Sequence, residues 1–106
     1  MTDVLVVLVT TPSAEVAAGL ARALVEARLA ACGNVVPGLR SIYRWEGQVH
    51  DEAEALLILK TTRDRFEPLR DELLRRHPYQ VPEVLALPVE AGAERYLAWV
   101  TGETRP

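Results

Sequence analysis

The sequence predicts an α+β sandwich built from two split β-α-β units, with a long β-hairpin at its centre and a short helix at its end. Three observations carry that prediction. The 106-residue chain opens on a continuous apolar run and then alternates extended and helical patterns in the order β-α-β-β-α-β. A tight turn, Glu46-Gly47, separates two extended arms much longer than an ordinary strand. The composition, 49% hydrophobic and 25% charged, is that of one folded domain and excludes a disordered chain.

Each element follows from its residues. Val4–Val9 is apolar at every position, as in a strand buried on both faces. Thr10-Thr11-Pro12-Ser13 breaks it, with Ser13 suited to cap a helix and Glu15 to its positive end. Val16, Leu20, Leu24 and Ala27 recur at helical spacing, so the first helix is expected to end near Arg28. Ala31–Val36 and Leu39–Trp45 form a second strand interrupted at Pro37-Gly38, and Gln48–Lys60 returns beside it. The returning arm starts polar (His50, Asp51, Glu52, Glu54) and ends in Leu56-Leu57-Ile58-Leu59, so its polar end should project from the domain. Thr62 is the expected cap of a second helix with the stripe Phe66, Leu69, Leu73 and Leu74, ended by His77-Pro78. Val84–Val89 is a fourth strand, with Pro88 marking an edge or an end, and Ala93–Val100 is the closing helix. This βαββαβ order is the ferredoxin-like arrangement, an antiparallel sheet with both helices on one face. Strands apolar on both faces favour contact between the sheets of different subunits, so an oligomer is expected.

Composition removes several functions. A formal net charge of −3 and the lack of a basic, aromatic-interleaved patch exclude nucleic acid and anionic membranes as partners. No apolar stretch approaches the roughly 20 residues of a transmembrane helix. The start lacks the basic segment and cleavage site of a signal peptide, so a cytoplasmic location is expected. The single cysteine, Cys32, excludes an intrachain disulfide and any CxxC motif.

Other users of this fold fail at their sites. A Cu(I) chaperone needs two thiols in the first loop, which here is Thr10-Thr11-Pro12-Ser13. An RNA-recognition module needs stacking aromatics on its middle strands, and these offer only aliphatics. An acyl-phosphate hydrolase needs an Arg and free N–H groups after the first strand, where Pro12 removes one and Arg is absent. Neither a nucleophile–base pair at identifiable spacing nor a Gly-rich phosphate loop supports an enzyme.

An ordered set of short elements remains: Leu29-Ala30-Ala31-Cys32-Gly33-Asn34, Ser41-Ile42-Tyr43-Arg44-Trp45, Lys60-Thr61, His77-Pro78-Tyr79-Gln80-Val81-Pro82-Glu83 and Tyr96-Leu97-Ala98-Trp99. Together they resemble the CutA family, the divalent-cation tolerance proteins, from the Pro12 turn to Trp99. The resemblance implies a cytoplasmic homotrimer, similar to the PII signalling proteins, whose long hairpin reaches a neighbour and whose intersubunit clefts hold the binding site. It also implies tolerance to copper and other divalent ions. Copper-binding bacterial members carry a thiol just before the Thr-Pro turn and two histidines before the Pro-Tyr. Here those positions are Val9 and Arg76-His77, so one of the three ligands is retained.

The candidate residues each have a plain reading beside the functional one. Cys32 is a small buried hydrophobe or a soft-metal ligand that needs a partner such as His77. His77 caps a helix C-terminus or binds Cu(II) or Zn(II). His50, Glu52 and Glu54 alternate along one arm as a solvated hairpin face or a loose ion site. Lys60 and Glu83 form an ion pair, or line a cleft in which Lys60 meets an anionic ligand and Tyr79 and Glu83 hydrogen-bond it. Tyr43, Trp45 and Trp99 are expected interface anchors. The expected function is therefore response to a divalent metal by a non-enzymatic trimer. The alternatives are a PII-like adaptor that binds a small anionic metabolite and passes the result to a partner, and a trimeric scaffold without a small ligand.

Overall fold

The structure, a computed structural model, describes all 106 residues, Met1–Pro106. In chain order the elements are β1 (Val4–Thr11), α1 (Ala14–Glu26), β2 (Cys32–Trp45), β3 (Gln48–Thr62), α2 (Arg63–Arg76), β4 (Leu85–Pro88) and α3 (Glu94–Glu103). The strands form one sheet in the order β2-β3-β1-β4, every neighbour antiparallel. This is the expected ferredoxin-like α+β arrangement.

Register divides the sheet into two faces. Val7 pairs with Leu59 and Val9 with Leu57, and all four are fully buried under α1 and α2 together with Leu24, Leu69 and Leu73. The alternate residues Val6, Leu8, Leu56 and Ile58 point the other way and are only part-buried. A close approach of α1 to the sheet depends on Gly33, where an added Cβ would lie 2.8 Å from Ala21 Cβ and within 3.2 Å of Leu57 and Leu59. On the opposite face α3 covers only one end, where Val100 buries Val4 and Ala31.

The hairpin accounts for the elongated shape, 44 × 25 × 22 Å, and for a radius of gyration of 14.2 Å, above the roughly 13 Å of a compact chain this long. Its interruption is a β-bulge: Val36 pairs with Leu56 and Leu39 with Glu54, so Pro37 and Gly38 together oppose Ala55. Gly38 takes φ 78°, which a side chain would disfavour, and Pro37 has no N–H to lose. At the tip both Glu46 (φ 50°) and Gly47 (φ 79°) are left-handed, the two-residue turn that matches strand twist.

Several boundaries differ from expectation. β1 and β3 each run two residues further, because Thr11 and Thr61 are fully buried with their hydroxyls donating to Ser13 O and Leu29 O at 2.8 and 2.7 Å. β4 is shorter, and Val84 packs on the core from outside the strand. α3 continues through Gly102, and buried Thr104 closes it with a 2.9 Å bond to Val100 O. Ser13 caps α1, its hydroxyl accepting from Val16 N–H at 3.2 Å. Thr62 holds the capping position of α2 but does not cap it; its hydroxyl donates to Asp64 Oδ1 at 2.7 Å instead.

Candidate functional site

Four segments meet along the hairpin from its root around a cleft of about 650 Å³: the end of β1 (Thr10), the end of β2 (Ser41 to Trp45), Glu54 of β3, and the loop after α2 (Pro78 to Glu83). The loop is carried here because α2 ends abruptly at His77, whose backbone turns extended (φ −70°, ψ 136°), and Pro78 prevents the helix from resuming. The bulge in β2 restores register beyond it, so Ser41, Tyr43 and Trp45 share the face of their partners Glu52, His50 and Gln48. The charged groups lining the cleft are Glu54 and Glu83, both carboxylates.

Tyrosines engage the acidic groups. The Tyr79 hydroxyl donates to Glu54 Oε2, and burial followed by this carboxylate raises its pKa well above the usual phenol range. The Tyr43 hydroxyl donates to Glu52 Oε1, and that bond raises the Tyr43 pKa. The Tyr43 ring also stacks on His50, centroids 5.1 Å apart and planes 14° from parallel. The alternating His50, Glu52 and Glu54 do share one face, and two of the three are held by tyrosines.

Tyr79 and Glu83 therefore share one cleft, joined there by Tyr43 and Trp45, which the sequence offers only as interface anchors, but Lys60 does not join them within one chain. Six residues further along β3, about 20 Å away, its ammonium bonds Asn34 Oδ1 and lies 3.6 Å from Cys32 Sγ. The expected pairing of Lys60 with Glu83 fails for that reason. Cys32 and His77 also lie apart: Cys32 is opposite Lys60, which pairs with Val6, whereas His77 Nε2 is 2.8 Å from Thr10 O. They cannot share an ion within one chain. Cys32 is half-buried, 3.8 Å from the Tyr96 hydroxyl, and Tyr96 packs on Trp99 with ring centroids 5.5 Å apart. Trp99 thus marks the opposite end of the sheet from Tyr43 and Trp45; all three remain around 40% exposed.

For a divalent ion, the donors at hand in the cleft are carboxylate and hydroxyl oxygens. No three His, Cys, Asp or Glu side chains of one chain converge on a point. The residues fit part of a coordination shell, the remainder requiring water or another copy. Thr10 was not anticipated as a cleft residue, and only the register of β1 against β3 reveals it.

Residues 5–103 match the family model described as "CutA1 divalent ion tolerance protein". The divalent-cation tolerance protein CutA of Thermus thermophilus is 54% identical over 99 residues, 93% of this chain and 96% of that protein. Human protein CutA is 48% identical over 92 residues, 87% of this chain; the chain spans about half of the human protein, 51% of its length. Among solved structures, the Thermus thermophilus divalent cation tolerance protein superposes with a TM-score of 0.93 at 52% identity, covering 96% of this chain and 99% of that one. CutA from Xylella fastidiosa superposes at 0.95 with 36% identity, covering 98% and 100%. With the fold, nearly the whole length and this level of identity shared, the chain belongs to the CutA1 divalent ion tolerance family.

Proposed function

We propose that the protein supports tolerance to divalent cations by binding them, without catalysing a reaction, in the cleft at the hairpin root, and that it does so as a homotrimer. One observation carries the choice of ligand: the charged side chains lining the cleft, Glu54 and Glu83, are both acidic. Two carboxylates with no cation among them attract a positive ligand and oppose an anionic one. The alternative of an anionic metabolite loses its cation, because Lys60 is occupied about 20 Å along the strand by Asn34 and Cys32. Oxygen donors suit a divalent ion such as Zn(II) or Cu(II) better than soft Cu(I). The uncovered apolar face supports assembly, and a neighbouring copy would complete the ion's shell.

Calorimetric titration of chelator-treated protein with Zn(II) and Cu(II), with native mass spectrometry for subunit and ion number, tests this reading. Glu54→Gln and Glu83→Gln are expected each to weaken binding at least tenfold. Isotherms that neither substitution changes would place the ion elsewhere.

A further inference from the structure

We infer that His77 is a positioning residue of the cleft, which fixes Tyr79 over Glu54 from behind and offers neither ring nitrogen to a ligand. As a statement about cation binding, this rests on the reading above; as a statement about Tyr79, it stands alone.

His77 is 7% exposed, at the junction of α2 with the loop that forms one wall of the cleft. Its backbone N–H bonds Leu73 O at 2.9 Å, which anchors it to the last turn of the helix. Its ring is held from two sides. Nε2 is 2.8 Å from Thr10 O, and a carbonyl oxygen only accepts, so Nε2 carries the hydrogen. The Tyr79 backbone N–H lies 3.1 Å from Nδ1, and an amide only donates, so Nδ1 presents its lone pair. The neutral Nε2–H tautomer is the assignment that satisfies both bonds. An ion on Nδ1 would displace the Tyr79 amide, and one on Nε2 would displace Thr10 O.

Both partners, Thr10 and Tyr79, line the cleft, whereas His77 is absent from its lining. The imidazole also packs on the Tyr79 ring, centroids 4.7 Å apart and planes tilted by 49°. Pro78, between them, restricts the backbone to one φ. With its amide and its ring both held, Tyr79 directs its hydroxyl to Glu54. The His-Pro-Tyr element thus acts as a latch: the imidazole ties the loop to β1, and the tyrosine carries that order to a carboxylate of the cleft.

Two amide substitutions separate the two bonds of the ring. His77→Asn places an acceptor near Nδ1 and keeps the Tyr79 bond, while His77→Gln places a donor near Nε2 and keeps only the Thr10 bond. In protein labelled with ¹⁵N-histidine, with His50→Gln used to assign the two rings, His77 should show the neutral Nε2–H pattern and keep it when Zn(II) is added to saturation. Hydrogen exchange of the Tyr79 amide should be slow in the wild type and His77→Asn, and roughly tenfold faster in His77→Gln. Zn(II) affinity should follow the same order. A nitrogen resonance of His77 moving to a metal-bound position, or equal Tyr79 exchange in all three proteins, would overturn the inference. If the wild type binds no Zn(II) while the exchange pattern holds, the latch is supported and the cation reading of the cleft is what fails.

Discussion

The two faces of the sheet carry nearly the same side chains and meet different fates. Toward the helices, Val7, Val9, Leu57 and Leu59 are fully buried. Away from them, Val36, Leu85 and Leu87 stay 42%, 56% and 48% exposed, beside the half-buried Val6, Leu8, Leu56 and Ile58. Hydrophobicity does not distinguish the faces; cover does. α1 and α2 lie over the first, while α3 reaches only the Val4 end of the second. One chain offers two layers, so the second face of the sheet stays largely uncovered within it, as the proposed assembly would require.

Two substitutions one residue apart can break this comparison. Leu59→Ala removes a fully buried side chain from the helix face and should cost roughly 2–5 kcal/mol, read as a lower urea midpoint. Ile58→Asp, on the open face, should leave the circular dichroism of the chain intact and shift sedimentation from trimer to monomer. If Ile58→Asp leaves the oligomeric state unchanged, the open face is not an assembly surface. A smaller effect sharpens the covered side. Gly33→Ala adds a carbon that meets Ala21 at 2.8 Å and should cost about 1–3 kcal/mol, because helix and sheet must separate to admit it. A neutral result in denaturant unfolding would mean that α1 shifts freely on the sheet.

Local chemistry made most of the fold legible. Gly38 and Gly47 announce the bulge and the turn because glycine accepts the positive φ that each position takes. Thr62 misleads because capping depends on where the hydroxyl points, and Asp64 two residues on competes for it. The Ala93–Val100 helix was read too short because Thr104, buried beneath Thr62, makes a tertiary contact that no local pattern encodes. At the site, the motif after α2 points to Tyr79 and Glu83 as cleft residues, while Tyr43 and Trp45, expected as interface anchors, line the same cleft. Lys60 lies apart from them within one chain because a long strand separates its two ends by far more than sequence proximity suggests. His77 was identified as important, but its chemistry depends on facing Thr10 O and the Tyr79 amide, which only tertiary structure fixes.

The smallest expected effect concerns the cover rather than the sheet. α2 buries Leu69 and Leu73 on the core, and between them in sequence Glu72 faces outward, accepting from Arg75 at 2.6 and 2.7 Å and from Arg76. Hydrogen bonds from these two guanidinium groups hold the Glu72 carboxyl down at about 2, against an ordinary 4.5. Its folded pKa is depressed, so the unfolded chain takes up a proton first. Whatever the pairs contribute is complete above about pH 4.5 and is lost as pH falls towards 2. These groups are in contact with solvent, so the effect should be small and sensitive to salt. Urea midpoints of the wild type and Glu72→Gln should differ most at neutral pH in low salt, converge as pH approaches 2, and draw together at high salt even at neutral pH. A gap that persists at low pH would come from lost packing of the Glu72 stem. No gap at any pH would mean that the helix covers the sheet through Leu69 and Leu73 alone, making the protein's pH dependence a property of its other carboxylates.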